Sequence, residues 1–311
     1  MQTYSKTHAK IILMGEHSVV YNQPSIALPI KNITASAALF DANEDQFIYS
    51  KIFTGSINSE KIPEQILPFK KLIKDILKDL INNENYPFKL KINSDIPIER
   101  GMGSSAAISS TIVKEFYHHF NKKLNKKTLL EKINFLEKLI HGNSSGIDSI
   151  ITNYNKPIIY VKNKKIQSIS FNLNAFLIIA DSGIHGRTKD AVKDVQQLLI
   201  QDYNATKTKI LNLGILTKKT IDALKYKNII LLGNLMNDAQ KILKDLSVSS
   251  KELDNLIKIA QESGSLGSKL TGGGRGGCII SLSNNINTAN YISKNLIKYG
   301  AKKTWIIPLI F

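Results

Sequence analysis

The segment Pro97–Ala107, with the sequence PIERGMGSSAA, is the feature that most constrains the fold of this chain. It follows a β-prone run and precedes a predicted helix that begins near Ser104. Gly101 and Gly103 allow the backbone to curl around an anion, toward which the free N–H groups and the positive dipole end of the helix would point. The glycine spacing differs from the Walker A and dinucleotide-binding patterns. Because such a run is often only a capped turn, phosphate binding and a simple turn both remain open.

A second glycine turn lies near the N-terminus, where a β-prone run from Lys10 leads into Gly15, Glu16 and His17. This turn carries a carboxylate next to an imidazole. Taken alone, the residues also allow a purely structural interpretation. Lys10 would then be a solvated strand end, and His17 a histidine whose hydrogen bonds are satisfied within the fold.

A third motif joins two carboxylates through a turn rich in glycine and serine. Glu137 lies at the end of a predicted helix over 127–140, and Asp148 begins the next helix. Two carboxylates in this arrangement could hold a metal ion or share general-base work. A surface glutamate and an aspartate at a helix N-terminus are the alternative interpretation.

The fourth motif, Leu270–Cys278, has the sequence LTGGGRGGC, with five glycines in six positions after a predicted strand. So many glycines cost conformational entropy on folding. They therefore indicate a close approach of this backbone to a ligand or to another loop. Cys278 precedes two isoleucines, which favours a buried structural thiol.

The pattern along the chain changes from β-rich to helix-rich, and the early segments Lys10–Met14, Thr34–Phe40 and Gln46–Phe53 are predicted to be short strands. Apolar residues at 69, 72, 73, 76, 77, 80 and 81 predict an amphipathic helix, whereas Phe88–Ile92 alternates as a half-buried strand does. Further helices are predicted near 104–120, 187–203, 206–225, 228–246, 250–263 and 286–299. Strands mixed with helix pairs in the second half indicate an α+β or α/β two-layer domain, and we expect the α+β class for the whole chain. We expect two domains, 1–172 and 173–311.

The composition restricts the class of protein and its location. The 311 residues include 42 Lys and Arg against 25 Asp and Glu, a formal net charge of +17. A nucleic-acid surface would explain this charge, but the lysines are dispersed on polar helix faces, and attraction of an anionic substrate explains it equally well. The single cysteine excludes an intramolecular disulfide and favours a cytoplasmic protein. We expect no signal peptide and no membrane span.

The order of the four motifs resembles that of the GHMP kinase family, which includes galactokinase, homoserine kinase, mevalonate kinase and phosphomevalonate kinase. The resemblance covers nearly the whole chain. Within the family, Gly15–Tyr21 is most similar to the mevalonate kinase branch. The run from His141 through Asn143 and Ser145 to Asp148, and the segment Asp181–Lys189, are similar to the same branch.

The resemblance implies an N-terminal domain like the second domain of ribosomal protein S5, a ferredoxin-like C-terminal domain, and an active site between them. It implies ATP-dependent phosphorylation of (R)-mevalonate with Mg²⁺, on the route to isoprenoid precursors. We therefore expect mevalonate and ATP as partners, without a membrane or nucleic-acid partner, and the chain could form a homodimer. Phosphomevalonate kinase or another GHMP kinase is the alternative, and a basic nucleic-acid-binding protein is the non-enzyme alternative.

The family roles transfer to individual residues of this sequence. Asp148 and Lys10 match the catalytic pair, and Ser105 and Glu137 match the Mg²⁺ ligands. The nucleotide side is matched by Ser94, Gly101, Gly103, Ser104, Ser105 and Ala106. The substrate side is matched by Glu16, His17 and Thr188.

Three positions depart from the family pattern. His8-Ala9 replaces a Pro-Gly before Lys10, Glu99 replaces a glycine, and Arg275 replaces a glycine of the fourth motif. The first two keep the backbone near the phosphates intact. Arg275 leaves open how closely its loop approaches the active site, and it could itself contact an anion.

Overall fold

The computed structural model describes residues 5–142 and 146–311. The chain divides into two compact units, and each unit is assembled from three separate stretches of sequence. Unit 1 comprises Met1–Ala9, Ile30–Pro97 and Gly103–Asn155, and unit 2 comprises Lys10–Pro29, Ile98–Met102 and Lys156–Phe311. The domain division at residue 172 stays a prediction.

The described part of the chain forms eleven strands and nine α-helices. The strands are β1 (Ser5–Met14), β2 (Ser25–Asp41), β3 (Gln46–Tyr49), β4 (Thr54–Ser56), β5 (Phe88–Ser94), β6 (Ile158–Tyr160), β7 (Gln167–Ser168), β8 (Asn172–Asp181), β9 (Gly267–Thr271), β10 (Cys278–Ser283) and β11 (Lys303–Ile310). The helices are α1 (Leu67–Ile81), α2 (Ser104–His119), α3 (Lys126–His141), α4 (Ile147–Ile151), α5 (Thr188–Gln201), α6 (Tyr203–Lys225), α7 (Ile229–Asp245), α8 (Lys251–Glu262) and α9 (Ile286–Lys298). The α+β class is confirmed.

Unit 1 packs helices α1, α2 and α3 against strands in the order β4-β3-β5-β2. In β5 the apolar residues Phe88, Leu90 and Ile92 are buried while the residues between them are exposed, as the alternation predicts. Helix α1 buries its predicted apolar stripe in the same core. The rings of Phe88 and Phe116 meet edge to face at 5.3 Å and link β5 to α2.

Unit 2 contains a four-stranded antiparallel sheet in the order β11-β8-β10-β9, packed with α7, α8 and α9. All residues of β9 and β10 are buried. Burial raises the pKa of the Cys278 thiol well above its ordinary value, because the thiolate would be desolvated. The prediction of a buried thiol is therefore confirmed.

Two predicted strands differ from the observed ones. The strand expected at 34–40 is the second half of β2, which begins at Ser25 and includes Pro29. Proline within an apolar run argues against a strand, so the first half was not predicted. The strand expected at 46–53 is divided into β3 and β4 by a turn in which the Ser50 N–H donates to the Phe53 carbonyl at 2.9 Å.

Among residues 5–142 and 146–311, no helix combines the length and the apolar character needed to cross a bilayer.

Candidate active site

Helix α2 begins at the end of the phosphate loop, which we define as residues 97–103. Gly103 caps the helix with a φ of 73°, and the first intrahelical bond joins the Ala107 N–H to the Gly103 carbonyl at 2.9 Å. The N–H groups of the first turn precede that bond and can donate to an anion. The Ser104 hydroxyl is buried without a hydrogen-bond partner in the part of the chain that the structure describes. Because an unsatisfied buried hydroxyl is costly, Ser104 is a candidate to bind a ligand oxygen, and this role stays a prediction.

The other predicted nucleotide residues of unit 1 lie on the same helix or on β5. Ser105 and Ala106 occupy the first turn of α2, and the only hydrogen-bond donor of Ala106 is its backbone N–H. Ser94 ends β5, and its hydroxyl accepts a hydrogen bond from the Ile96 N–H at 3.2 Å. This hydroxyl shapes the turn after the strand, and its contact with a nucleotide stays a prediction.

The two carboxylates of the third motif also belong to unit 1. Glu137 is a buried residue of α3, and its Oε2 lies 3.8 Å from Nε2 of His141, one turn later. Asp148 lies in the first turn of the short helix α4, which follows Gly146 at a φ of 79°. The two predicted helices on either side of this turn are thus confirmed. Three residues of this motif, Asn143, Ser144 and Ser145, lie outside the described residues.

In unit 2, residues 98–102 of the phosphate loop lie beside the glycine loop, which we define as residues 272–277. Gly101 has a φ of 74°, and a Cβ added there would lie 3.0 Å from the Thr271 carbonyl oxygen. A Cβ added at Gly272 would lie 2.8 Å from the Gly101 Cα. Side chains at these positions would therefore collide with backbone, which explains both glycines. The Lys10 N–H donates to the Met102 carbonyl at 3.0 Å and brings β1 to the same place.

The acceptor turn, residues 15–17, follows β1 and bears His17 at a φ of 58°. His17 is buried, and its Nε2 lies 2.9 Å from the Gly273 carbonyl oxygen. Burial lowers the pKa of this imidazole to about 4, because its charged form would be desolvated. The ring is therefore neutral near pH 7. Since a carbonyl only accepts, Nε2 carries the proton and Nδ1 offers a lone pair.

Gly273 also brings Thr188 to the acceptor turn. A Cβ added at Gly273 would lie 2.1 Å from the Thr188 hydroxyl oxygen, so the threonine packs directly on this glycine. The two predicted substrate residues His17 and Thr188 thus meet the same residue of the glycine loop. Glu16, the third of them, is buried, and its carboxylate binds the ammonium of Lys269.

The segment Ser182–Arg187 joins the phosphate loop to the glycine loop. The Ser182 N–H donates to the Gly277 carbonyl at 2.9 Å, and the Gly277 N–H donates to the Ile184 carbonyl at 2.8 Å. On the other side, the Gly186 N–H donates to the Glu99 carbonyl at 2.7 Å. The predicted segment near Thr188 therefore orders both glycine-containing loops of unit 2.

Sequence analysis did not identify Arg100 and Asp181 as part of this arrangement. Arg100 Nε lies 2.8 Å from Asp181 Oδ1, and Arg100 Nη2 donates to the Gly183 carbonyl at 2.9 Å. Both side chains are largely buried. The sequence did contain a signal for this pair, because Asp181 ends an apolar strand and Arg100 lies inside the motif Pro97–Ala107. A charged side chain in a buried position needs a partner of opposite charge.

Arg275 is bound on both sides and is not available to an anion. Its Nη1 lies 2.5 Å from Asp194 Oδ2, and its N–H donates to the Val248 carbonyl at 2.8 Å. Its φ of 55° lies in the left-handed region, where glycine is favoured. The glycine loop nevertheless approaches the phosphate loop closely, so an arginine in place of the usual glycine does not keep the two loops apart.

Similarity to known proteins extends over most of this chain. The sequence model of the GHMP kinases N terminal domain matches residues 69–156, and that of the GHMP kinases C terminal matches residues 220–302. Mevalonate kinase of Methanocaldococcus jannaschii is 32% identical over 296 residues, covering 90% of this chain and 91% of that protein.

Two solved structures share the fold. The crystal structure of the Methanococcus jannaschii mevalonate kinase has a TM-score of 0.81 at 27% identity, covering 100% of this chain and 99% of that one. L. major mevalonate kinase in complex with R-mevalonate has a TM-score of 0.83 at 22% identity, covering 99% and 97%. The predicted two-domain architecture is confirmed, and the chain belongs to the GHMP kinase family.

Proposed function

We propose that this protein is an ATP-dependent kinase that phosphorylates the primary hydroxyl of (R)-mevalonate and forms 5-phosphomevalonate and ADP. The observation that carries the proposal is the similarity to a mevalonate kinase at 32% identity over nine-tenths of both chains. The geometry of the two units supports it at the nucleotide side and at the acceptor side.

The nucleotide side of the proposal rests on the start of α2. Phosphate oxygens would accept hydrogen bonds from the first-turn N–H groups of Ser104, Ser105 and Ala106 and from the buried Ser104 hydroxyl. The positive end of the helix dipole favours the same anionic groups. Gly101 and Gly103 keep side chains away from this backbone.

Mg²⁺ is the cofactor that the family implies, and the two proposed ligands are compatible with it. Glu137 offers a carboxylate oxygen and Ser105 a hydroxyl oxygen, both of the hard type that Mg²⁺ binds. Within the described residues there is no cluster of three or more His, Cys, Asp or Glu side chains suited to a metal. Two protein ligands are enough where phosphates and waters complete the coordination. The ion would neutralise charge on the transferred phosphoryl group.

We assign the chemical step to Asp148 and Lys10. The hydroxyl oxygen of the acceptor forms a bond to the γ-phosphorus, while the bond from phosphorus to the β–γ bridging oxygen breaks and ADP leaves. Asp148 orients the hydroxyl and receives its proton. Lys10 stabilises the negative charge that develops on the reacting oxygens. Such catalysis depends mainly on positioning and on charge neutralisation.

The acceptor turn selects the substrate by the hydrogen-bonding state of His17. Because Nε2 donates to Gly273, Nδ1 can only accept, so it binds a hydroxyl and disfavours a carboxylate or phosphate. Val20 follows and is half-buried, so it can offer apolar surface to a methyl group, whereas Val19 is buried. Thr188, packed on Gly273, is the second polar group on the acceptor side.

The same region argues against phosphomevalonate as the acceptor. An additional phosphate needs cationic partners, and the two arginines of these loops are already bound to carboxylates. Arg100 is paired with Asp181, and Arg275 with Asp194. A nucleic-acid-binding function would leave the buried Ser104 hydroxyl and both glycine loops without a role.

An ADP-release assay tests the proposal with mevalonate, phosphomevalonate, galactose and homoserine as acceptors. We expect the highest kcat/KM with mevalonate, together with a requirement for a divalent cation. A higher kcat/KM with another acceptor would contradict the substrate assignment and leave the kinase class intact. Light scattering of the purified protein tests whether the chain forms a homodimer, as the sequence analysis allowed.

A further inference from the structure

Lys269 is a fully buried lysine of β9 to which the reaction proposed above assigns no role. Its side chain is 0% exposed, and its ammonium binds the carboxylate of Glu16, which is 1% exposed. The ammonium also donates to the Leu270 carbonyl at 2.6 Å. Removing both charges from water is expensive, and an apolar pair of similar volume is often equally stable. Stability alone therefore explains this ion pair poorly.

Glu16 occupies the middle of the acceptor turn. The turn folds back on itself, with the Ser18 N–H donating to the Glu16 carbonyl at 2.6 Å. The next residue, His17, has φ and ψ of 58° and −46°, a combination that side chains rarely adopt. Such a backbone persists only where its surroundings determine it strongly. The buried carboxylate of Glu16 gives this turn a fixed point one residue before His17.

Strand β9 and the loop after it hold β1 and the acceptor turn at three points. The Thr271 hydroxyl accepts from the Ile12 N–H at 3.0 Å and donates to the Ile12 carbonyl at 2.9 Å. The Gly273 carbonyl binds His17. Lys269 provides the third point, and it lies on the same face of β9 as Thr271, two residues away. Lys269 and the Gly273 carbonyl both act on the turn through its own side chains, which are Glu16 and His17 respectively.

Burial opposes both charges of the pair. It raises the pKa of the Glu16 carboxyl and lowers the pKa of the Lys269 ammonium, and each charge offsets the desolvation of the other. Removing Lys269 would leave a carboxylate buried without its cation. Glu16 would then become protonated or the turn would open, and in either case the turn would lose its fixed point.

We propose that Lys269 is a positioning residue that fixes the acceptor turn through Glu16, so that His17 presents Nδ1 to the acceptor hydroxyl. Glu16, predicted from the family resemblance to contact the substrate, acts here through His17. The inference rests on the proposed function for the identity of the acceptor, but the arrangement of the turn is independent of it.

Four variants test this role: Lys269→Met, Glu16→Gln, the double variant Glu16→Leu/Lys269→Met, and the control Lys132→Met. Lys132 is another buried lysine, bound to Asp75 and Asp79 in the helical part of unit 1. For each protein, the thermal midpoint, KM for the acceptor, KM for ATP and the imidazole ¹⁵N shifts of His17 are measured.

We expect Lys269→Met and Glu16→Gln to raise KM for the acceptor at least tenfold while KM for ATP changes less than twofold. The double variant should regain most of the thermal midpoint, because no charge remains buried alone, but not the acceptor KM. The ¹⁵N shifts should change from the single tautomer protonated at Nε2 to a mixture. Lys132→Met should lower the midpoint and leave both KM values unchanged.

A double variant with the wild-type acceptor KM would overturn the proposal, as would equal increases of both KM values. If the double variant does not fold, Glu16→Gln, which preserves the shape of the side chain, decides by the same criteria. A wild-type enzyme that prefers another acceptor contradicts the proposed function instead. The positioning role is then tested with that acceptor and with the ¹⁵N shifts, which need no substrate.

Discussion

Arg275 and Asp194 form an ion pair that holds the glycine loop against helix α5. The two side chains are about one-third exposed, and the Arg275 Nε also donates to the Ser247 carbonyl at 3.2 Å. Arg275 adopts its left-handed backbone between glycines, at a position where the family usually has glycine. The ion pair offsets the strain of a side chain at that position.

This balance predicts different outcomes for two substitutions of Arg275. Arg275→Ala should destabilise the protein by about 1–2 kcal/mol, because the backbone strain stays while the ion pair and hydrogen bond are lost. Arg275→Gly loses the same contacts but relieves the strain, so it should cost less. Urea unfolding measures both, with Lys241→Ala as the control for an exposed ion pair. Equal losses for the two variants would contradict the argument from strain.

Asp148→Asn should lower kcat by about 10²–10⁴-fold, because the acceptor hydroxyl loses its proton acceptor. The affinity for ATP should stay close to that of the wild type, since we assign the nucleotide contacts to α2. Turnover and the binding of an ATP analogue by calorimetry give the two quantities separately. The exposed Asp238→Asn serves as the control. Unchanged kcat would remove Asp148 from the catalytic pair.

Glu137→Gln should shift the dependence of activity on Mg²⁺ to higher concentration, because a neutral amide oxygen is a weaker ligand than a carboxylate. Titration of Mg²⁺ at saturating ATP and mevalonate measures this shift. Glu131→Gln on the same helix is a matched control, because Glu131 is exposed and pairs with Lys127. If both variants give the wild-type titration curve, Glu137 has only a structural role.

His17 should make the stability of the protein sensitive to acid. In the folded state burial lowers its pKa to about 4, against about 6.5 in the unfolded chain. The unfolded state therefore binds more protons between these values, and the stability present above pH 6.5 is lost as the pH falls toward 4. The lost free energy of unfolding should be about 3 kcal/mol.

Urea unfolding from pH 7 to pH 4 measures this loss, and His17→Asn should reduce it by most of that amount. His119→Asn is the control, because His119 lies near the surface beside Asp41. A His17→Asn variant with the wild-type pH dependence would show that the buried imidazole is not the group responsible.

His17→Ala should raise KM for mevalonate far more than KM for ATP. The lost group is a hydrogen-bond acceptor for the substrate, and lost polar complementarity discriminates strongly between ligands. Steady-state kinetics with each substrate varied in turn gives both constants. An effect on ATP alone would place His17 on the nucleotide side.

Local sequence patterns predicted the elements of this fold well, because periodicity and caps act over a few residues. The stripe on α1 and the alternation in β5 are examples, and so is the glycine turn that opens α2. The glycine loop was correctly expected to approach another backbone closely, and that backbone is the phosphate loop.

Contacts between distant parts of the chain could not be predicted in this way. Glu16 and Lys269 are 253 positions apart, and neither residue carries a local signal for the other. The family resemblance therefore placed Glu16 on the substrate side without indicating its partner. Likewise, the sequence showed Arg275 only as an interruption of a run of glycines. Nothing in the sequence indicated that its partner would be Asp194 on helix α5.

Strands β1 and β2 each belong partly to unit 1 and partly to unit 2. No single cut in the chain can therefore yield two intact pieces. A fragment that starts at residue 173 would lack the acceptor turn and residues 98–102, which belong to unit 2. Its sheet would retain β9 and Lys269 without Glu16, leaving a buried cation alone. Two halves of the chain should therefore restore an active protein only if they are co-expressed or refolded together.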